Sequence, residues 1–171
     1  IFLGSVAYGL QLYADFSGGM DIVCGIAQIF GIEMSVNFER PYFARSIAEF
    51  WRRWHITLGA WMKDYVFYSI FFSKASSKFR KKGKDKSASY LVKMLPTFFA
   101  TFVSFLLVGV WHGSSWKYVA YGLWNAGIIS MSTLLEPFYN KTNEKLGINT
   151  ECFSWKLFQI LRTFVLVTFG R

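Results

Sequence analysis

The chain has 171 residues, of which 53% are hydrophobic, 20% aromatic and only 17% charged. A soluble domain carries about 25% charged residues, so this balance argues against a soluble domain and favours a membrane protein. The formal net charge is +9, but the densest group of cations lies in one segment between apolar runs, which predicts a topology signal rather than a nucleic-acid surface. The sequence begins at Ile1 without a methionine and ends inside an apolar run, so we expect residues 1–171 to be part of a single membrane domain of a longer protein.

The first predicted element is a membrane-crossing helix within Ile1 to Ile32. This stretch is apolar apart from two carboxylates and two glutamines, and about 20 residues are enough to cross the hydrocarbon core. Asp15 lies inside it. A carboxylate at membrane depth is costly and usually faces a protein interior or a wet cavity, which makes Asp15 a candidate site residue. The alternative is a position at a helix end among the lipid headgroups.

A second helix is predicted to begin beyond Pro41, with Ser46 as its N-cap and Glu49 as the capping-box partner. From there, apolar and aromatic side chains recur at three- and four-residue steps as far as Tyr65. Such a pattern, interleaved with arginine, predicts one amphipathic helix that lies in the plane of the membrane interface. His55 falls on the apolar side of this helix, where an ordinary polar residue is not expected.

Cationic side chains form two groups. Arg52 and Arg53 lie away from the apolar side of the amphipathic helix, and Glu49 is spaced to pair with Arg53. Residues 73–89 are predicted to form a mobile basic loop on the cytoplasmic side. Both groups are interpreted either as topology determinants alone or as a surface that attracts an acidic carrier protein or a phosphate-bearing cofactor arm. The loop contains Lys74, Lys78, Arg80, Lys81, Lys82, Lys84 and Lys86.

Two apolar helices with a break between them are predicted next. Met94 to Trp111 is an uncharged run of 18 residues, long enough to span a membrane. Gly113 is expected to end this helix, and the next is expected to run from Trp116 to Leu135, where Pro137 stops it. Backbone that leaves a helix at membrane depth must be covered by protein or water. His112 is therefore expected to line a cavity.

The helix after the break carries small residues at four-residue steps, which favour close packing against another helix. These residues are Gly122, Ala126 and Ser130. Asn125 is a polar residue near the middle of this helix and is expected to hydrogen-bond into the same cavity. A polar loop and a last helix, from Phe153 onward, follow. The predicted fold is therefore all-α, a multi-pass transmembrane helical protein.

The two histidines, His55 and His112, are the strongest chemical signal, because both lie at boundaries of apolar segments. An imidazole with an ordinary pKa of about 6.5 accepts a proton at neutral pH and returns it. The dipole of the preceding helix would favour the protonated form of His112. The alternative is that each imidazole only bonds a backbone carbonyl in a packed bundle. No serine nucleophile elbow, phosphate loop or closely spaced set of metal ligands competes with the acid–base interpretation.

Several motifs follow one another in a fixed order from Ala7 to Gly127. They are Leu10 to Gly18, Asn37-Phe38, Arg40-Pro41-Tyr42, Glu49 to His55, Asp64-Tyr65, and Trp111-His112-Gly113 through Gly122. Together they resemble the membrane-bound O-acyltransferase family. Within it, the chain is most similar to the branch of alginate O-acetylation membrane proteins, with the teichoic-acid D-alanyl transfer proteins as close relatives.

The resemblance implies a protein in which helices surround a central cavity that reaches the histidine of the Trp-His-Gly motif. It assigns the catalytic role to His112 and a second functional role to His55. It also implies an acyl thioester donor, on an acyl carrier protein or coenzyme A, presented from the cytoplasmic side as a co-substrate, with no bound cofactor and no metal. The implied acceptor is a hydroxyl of a polysaccharide or teichoic acid on the opposite face, reached directly or through a second, exported acyltransferase. The implied location is the cytoplasmic membrane of a bacterium.

The sequence departs from the family pattern at two places. Lys63 replaces an arginine that many relatives carry before the Asp-Tyr pair. Asn125 with Ala126 stands where many relatives have His-Gly near the end of the helix after the motif. Asn125 is therefore the candidate substitute for a third histidine.

The predicted mechanism has His112 as general base, flanked by Trp111, with His55 positioning the donor and Asp15 or Asn125 orienting groups in the cavity. Acetyl is the predicted acyl group, and D-alanyl transfer to teichoic acid is the alternative. A transporter component in which His112 and Asp15 relay protons is an alternative from a different class.

Overall fold

The computed structural model describes residues 2–85 and 88–170. Most of these residues are helical, and the β-bridge found among them pairs Phe38 with Trp54, so the all-α prediction is confirmed for the described part of the chain. The helices are α1 (Phe2–Ile29), α2 (Ile47–Arg53), α3 (Ile56–Trp61), α4 (Tyr68–Phe71), α5 (Lys74–Gly83), α6 (Tyr90–Trp111), α7 (Trp116–Lys145) and α8 (Phe153–Phe169). Ile1, Lys86, Ser87 and Arg171, which the sequence predictions include, lie outside the described residues.

Two compact units make up the structure. The described residues up to Gly59, together with those from Lys156 onward, form the first unit. Ala60–Trp155 forms the second unit. One histidine belongs to each: His55 to the first and His112 to the second.

An aromatic cluster around Trp54 forms the core of the first unit. The Trp54 side chain is buried, and five rings contact it from α1, α2 and the segment between them. The Tyr42 hydroxyl also donates a hydrogen bond of 2.6 Å to the Gly9 carbonyl of α1, and its ring meets Phe164 of α8 edge-on. The cluster therefore ties α1, α2 and α8 together. The five rings are Tyr13, Phe16, Phe38, Tyr42 and Phe50.

The start of α2 agrees with its sequence signal. The Ser46 hydroxyl accepts a hydrogen bond from the Glu49 backbone N–H at 3.1 Å, which confirms the predicted N-cap. The Glu49 carboxylate reaches back to the backbone N–H of Arg45 at 2.7 Å, one residue beyond the capping-box position. It also binds Arg53 at 2.7 Å, as its spacing predicts.

The prediction of one amphipathic helix through His55 is wrong. α2 ends at Arg53, His55 takes the left-handed conformation with φ 48°, and α3 begins at Ile56. The cause is a distant segment, residues 37–39, which captures main-chain groups that a continuous helix would use. The Glu39 N–H donates to the Arg53 carbonyl at 3.0 Å, and the Ile56 N–H donates to the Asn37 carbonyl at 3.1 Å. The helix therefore breaks at the histidine.

In the second unit, α6 and α7 approach each other through glycine. A Cβ added at Gly109 would lie 2.8 Å from the Gly122 Cα and would also clash with the Tyr118 carbonyl oxygen. The predicted small-residue stripe is buried as expected, at Gly122, Ala126 and Ser130. On α6, a row of residues at four-residue steps that was not predicted is also buried, at Pro96, Ala100, Ser104 and Val108. Because only glycine fits at the crossing, the two helix backbones are in direct contact next to the end of α6.

The helix break at the Trp-His-Gly motif is confirmed. α6 ends at Trp111 and α7 begins at Trp116. α6 starts at Tyr90, four residues earlier than predicted, behind Ser89 as its N-cap. Among the described helices, α6 is the one whose length and composition suit a membrane crossing.

The predicted basic loop contains a helix. Ser73 caps α5 by accepting a hydrogen bond of 3.2 Å from the Ser76 N–H. Arg80, Lys81 and Lys82 then occupy the last turn, where the negative end of the helix dipole favours cations. Both the serine cap and the basic residues of the last turn can be read from the sequence. The segment was nevertheless predicted to be a loop because of its basic composition.

α7 also continues beyond its predicted end, through Pro137 to Lys145. Proline lacks the N–H that would bond the Thr133 carbonyl one turn earlier. That carbonyl instead accepts a hydrogen bond of 2.8 Å from the Tyr90 hydroxyl at the start of α6. A side chain from another helix thus satisfies the group that Pro137 releases, and the helix persists.

Candidate functional site

Three aromatic rings hold His112 in the turn after α6. The Trp111 ring meets the imidazole edge-on at 5.1 Å between centroids, and Tyr121 of α7 meets it edge-on at 5.9 Å. Tyr118 lies nearly parallel to it at 6.2 Å. A Cβ added at Gly113 would lie only 2.6 Å from the Tyr118 ring, so glycine leaves the room in which that ring packs. The Trp-His-Gly motif and the first turns of α7 therefore form one aromatic cup around the imidazole, defined by Trp111, Tyr118 and Tyr121.

The electrostatics of the cup favour a neutral imidazole. His112 keeps exposed surface, yet burial of part of its ring lowers its pKa below the ordinary value of 6.5. Desolvation penalises the charged form of a histidine. The direction is therefore opposite to the one expected from the helix dipole alone, which favours imidazolium. The lowered pKa favours the unprotonated imidazole at neutral pH, the state that a general base requires.

Asn125 connects to the cup through Tyr121. Its side chain is 5% exposed on the face of α7 that carries the small-residue stripe. The amide Nδ2 donates a hydrogen bond of 2.9 Å to the Tyr121 carbonyl one turn earlier. Since the Tyr121 ring contacts His112, Asn125 is linked to the imidazole through Tyr121. Its predicted role in orienting groups in a cavity stays a prediction.

His55 lies at the break between α2 and α3 rather than on a helix face. Phe16 of α1 meets its ring edge-on at 4.8 Å. Its Nδ1 lies 3.1 Å from the Asn37 side-chain oxygen. The contact at Nδ1 is thus made by an amide side chain from a distant segment. Asn37 and Phe16 were quoted only as parts of motifs, and no local pattern in the sequence pairs them with His55.

The supporting residues of the first unit differ in their surroundings. Arg53 is held by Glu49 at 2.7 Å, whereas Arg52 is exposed on α2. Asp15 is also exposed, and the next residue of α1, Phe16, is the one that contacts His55. The predicted role of Asp15 stays a prediction.

The structure groups the predicted site residues by unit. The second unit brings Trp111, His112 and Asn125 together around Tyr121. The first unit holds His55 with its neighbours Arg52 and Arg53. Within residues 2–85 and 88–170, no group of three or more histidine, cysteine or acidic side chains is placed to hold a metal ion.

Residues 1–83 match the sequence model of MBOAT, the membrane-bound O-acyltransferase family. The chain belongs to this family.

Curated relatives carry three related names. The chain is 32% identical over 168 residues to the probable alginate O-acetylase AlgI of Pseudomonas syringae pv. tomato, covering 98% of this chain and 27% of the relative. It is 32% identical over 164 residues to the teichoic acid D-alanyltransferase of Bacillus subtilis, covering 95% and 38%. It is 37% identical over 119 residues to the peptidoglycan O-acetyltransferase of Helicobacter pylori, covering 70% and 19%. The chain therefore spans well under half the length of these relatives.

Proposed function

We propose that this protein is a membrane-embedded O-acyltransferase that moves an acyl group, acetyl in the first instance, from a thioester to a hydroxyl of a cell-surface polysaccharide. Family membership and the names of the relatives support the class of reaction. The observation that carries the proposal is the placement of His112, whose imidazole is contacted by three aromatic rings directly after a helix able to cross a membrane. Burial there lowers its pKa, which favours the neutral form. The protein crosses the bacterial cytoplasmic membrane several times in this proposal.

The chemistry assigned to His112 is general base catalysis. An unprotonated ring nitrogen takes the proton of the acceptor hydroxyl as its oxygen attacks the thioester carbonyl carbon. The carbon–sulfur bond then breaks, and the imidazolium returns the proton to the leaving thiolate. The products are an oxygen ester and a free thiol, so no water and no external acid are consumed. A positioned base of this kind contributes ~100- to 10,000-fold in rate.

The donor is proposed to approach the cationic surfaces. Arg52 is exposed, whereas the charge of Arg53 is partly balanced by Glu49. α5, which lies in the segment predicted to be a loop, carries a second group of cations, and most of these are exposed. Either group of cations, taken by itself, would steer an acidic acyl carrier protein or the phosphates of acyl coenzyme A, and His55 is proposed to position the bound donor. The acyl thioester is a co-substrate, and a second, exported acyltransferase receives the acyl group where the acceptor lies beyond direct reach.

His112→Gln tests the proposal directly. Membranes containing the full-length protein are supplied with labelled acetyl thioester and polysaccharide acceptor, and ester formation is measured. Glutamine keeps a polar side chain but takes up no proton, so the rate is expected to fall by ~100- to 10,000-fold. Trp116→Phe is the control, because Trp116 is 84% exposed and lies outside the aromatic cup.

The outcomes separate the candidate functions. Transfer at the normal rate by a stably inserted His112→Gln protein would contradict the role of His112. Proton-coupled flux without acyl transfer from any donor would favour the transporter alternative. Because one relative is a teichoic acid D-alanyltransferase, D-alanyl thioester with teichoic acid is tested in parallel. Transfer of D-alanyl alone would show that the acyl group is D-alanyl and not acetyl.

A further inference from the structure

The end of α5 lies beside the point where α6 becomes apolar. Lys93, in the first turn of α6, is the last charged residue before the uncharged run of residues 94–111. A Cβ added at Gly83, the last residue of α5, would lie 3.3 Å from the Lys93 Cα, so the two backbones meet at this level. Because α6 is the described helix suited to a membrane crossing, the end of α5 is placed at the membrane boundary.

α5 has one side that packs against protein and an opposite side that is cationic. Gly83 contacts α6, and buried Ser76 lies two turns earlier on the same side of the helix. Lys74, Lys78 and Lys81 follow one another at steps of four and three residues on the other side. All three are exposed. The lysine side chains are therefore directed away from the contact with α6.

The charge of α5 is not balanced by acidic side chains of the described residues. Residues 74–84 contain six cations and no carboxylate. Within residues 2–85 and 88–170, the ion pair found joins Arg53 to Glu49 and involves none of these cations. The guanidinium carbon of Arg80 lies 4.9 Å from the ring centroid of Phe72, and its buried Nε has no acceptor in the same part of the chain. This surface therefore attracts an anionic partner from outside the described chain.

Exposed aromatic rings accompany the cations. Phe72, next to the start of α5, is 60% exposed, and Phe79 within α5 is 44% exposed. Phenylalanine together with lysine is typical of a helix that lies in the membrane interface, with its rings at the acyl chains and its cations at the headgroups. An acidic carrier protein would match the charge of α5 alone. A lipid surface matches the charge, the rings and the position beside the apolar run of α6.

We propose that α5 is an interfacial helix whose exposed lysines bind the phosphates of anionic phospholipids at the membrane surface where α6 begins. The ammonium groups donate hydrogen bonds to phosphate oxygens, and Phe72 and Phe79 lie against the outer part of the acyl chains. Binding of lipid does not depend on the acyl-transfer chemistry. It assigns the cations of α5 to lipid and leaves the group at Arg52 for the acyl donor.

Photocrosslinking from α5 tests this assignment. Full-length protein with benzoylphenylalanine in place of Phe79 is reconstituted into vesicles of phosphatidylcholine with a minor fraction of phosphatidylglycerol, one lipid carrying the radiolabel at a time. The crosslinked lipid is expected to be enriched in phosphatidylglycerol relative to the bulk composition. A lysine near an anionic surface contributes about fivefold in affinity. Lys74→Gln with Lys78→Gln is therefore expected to lower the enrichment by at least about fivefold.

Lys141→Gln with Lys145→Gln is the matched control. These lysines are also exposed and four residues apart. Thr133 is level with the start of α6, because its carbonyl accepts the hydrogen bond of Tyr90. At the rise of an α-helix, the two lysines lie ~12 and ~18 Å further along α7. Both distances exceed the Debye length of ~8 Å at physiological ionic strength, so this variant is expected to keep the enrichment.

A second control separates charge from folding. Lys74→Arg with Lys78→Arg keeps both charges and is expected to keep the enrichment, whereas a loss there would contradict binding through charge. Phosphatidylglycerol crosslinked only in its bulk proportion would overturn the proposal. Crosslinks to another segment of the protein would show that α5 is covered. Crosslinks to added acyl carrier protein at the expense of lipid would assign α5 to the donor, and either result would also overturn the proposal. Since the readout is the crosslinked lipid, failure of acyl transfer leaves this test intact.

Discussion

Gly113→Ala tests whether the aromatic cup is required around His112. The added Cβ would lie 2.6 Å from Tyr118 Cε2, whereas ordinary contact begins at 3.4 Å. The ring, the turn or both must therefore move by close to 1 Å, a misplacement that costs ~100-fold in a well-aligned reaction. The φ of 152° at Gly113 adds backbone strain. We expect kcat/KM for acyl transfer to fall by about 100-fold, and overpacking to destabilise the fold by ~1–3 kcal/mol.

Gly127→Ala is the matched control. The same methyl group there meets no atom within 4 Å, and alanine is favoured over glycine inside a helix by ~0.5–1 kcal/mol. Its acyl transfer rate is therefore expected to stay normal and its melting temperature to stay the same or rise. Combining Gly113→Ala with Tyr118→Ala relieves the clash and should restore part of the stability. If Gly113→Ala transfers acyl groups as fast as Gly127→Ala, the cup is not needed.

Four other substitutions test the framework around the site and the proposed steering of the donor. Tyr90→Phe leaves the carbonyl released by Pro137 without its hydroxyl donor; we expect a loss of ~1–3 kcal/mol and faster hydrogen exchange in the last turns of α7. Gly109→Ala forces apart two helix backbones and should lower the melting temperature far more than Gly127→Ala. Equal melting temperatures of the two variants would contradict a close crossing of α6 and α7. Arg52→Ala should raise KM for the thioester and weaken its salt dependence, whereas Arg53→Ala should have the smaller effect, and equal effects would argue against steering by Arg52.

The features that were correctly predicted depend on local chemistry. Ser46 and Glu49 form a cap because the residues three apart meet in the first turn, and Glu49 pairs with Arg53 for a similar reason. The break after Trp111 follows from one glycine beside two apolar runs. The stripe around Gly122 is buried because small residues at one helical face permit close approach.

The features that were missed depend on distant partners. α2 stops at Arg53 because residues 37–39 take its hydrogen bonds, and no pattern within the helix announces this. α7 passes Pro137 because a hydroxyl from α6 reaches the released carbonyl.

The same contrast between local signals and distant partners applies to the candidate site. His55 and His112 were identified from residue type, position and resemblance, whereas the tertiary contacts around them were not. The rings of Tyr118 and Tyr121, the amide of Asn37 and the direction of the pKa of His112 all depend on which side chains fold together. Burial lowers the pKa of His112, whereas the helix dipole alone predicts a raised pKa, because burial penalises the charged form of the ring.

The pH dependence of single-turnover acyl transfer tests the central claim most directly. Burial lowers the pKa of His112 below 6.5, so the neutral base prevails at pH 7 and is lost only as the pH falls through that lowered pKa. With full-length protein and thioester held constant, the rate is expected to be independent of pH above neutrality, and to fall about tenfold per pH unit once the pH lies below the lowered pKa. His112→Gln should remove that acidic limb along with most of the rate. A midpoint above 6.5 would contradict the lowered pKa of His112. An identical limb in His112→Gln would contradict His112 as the general base.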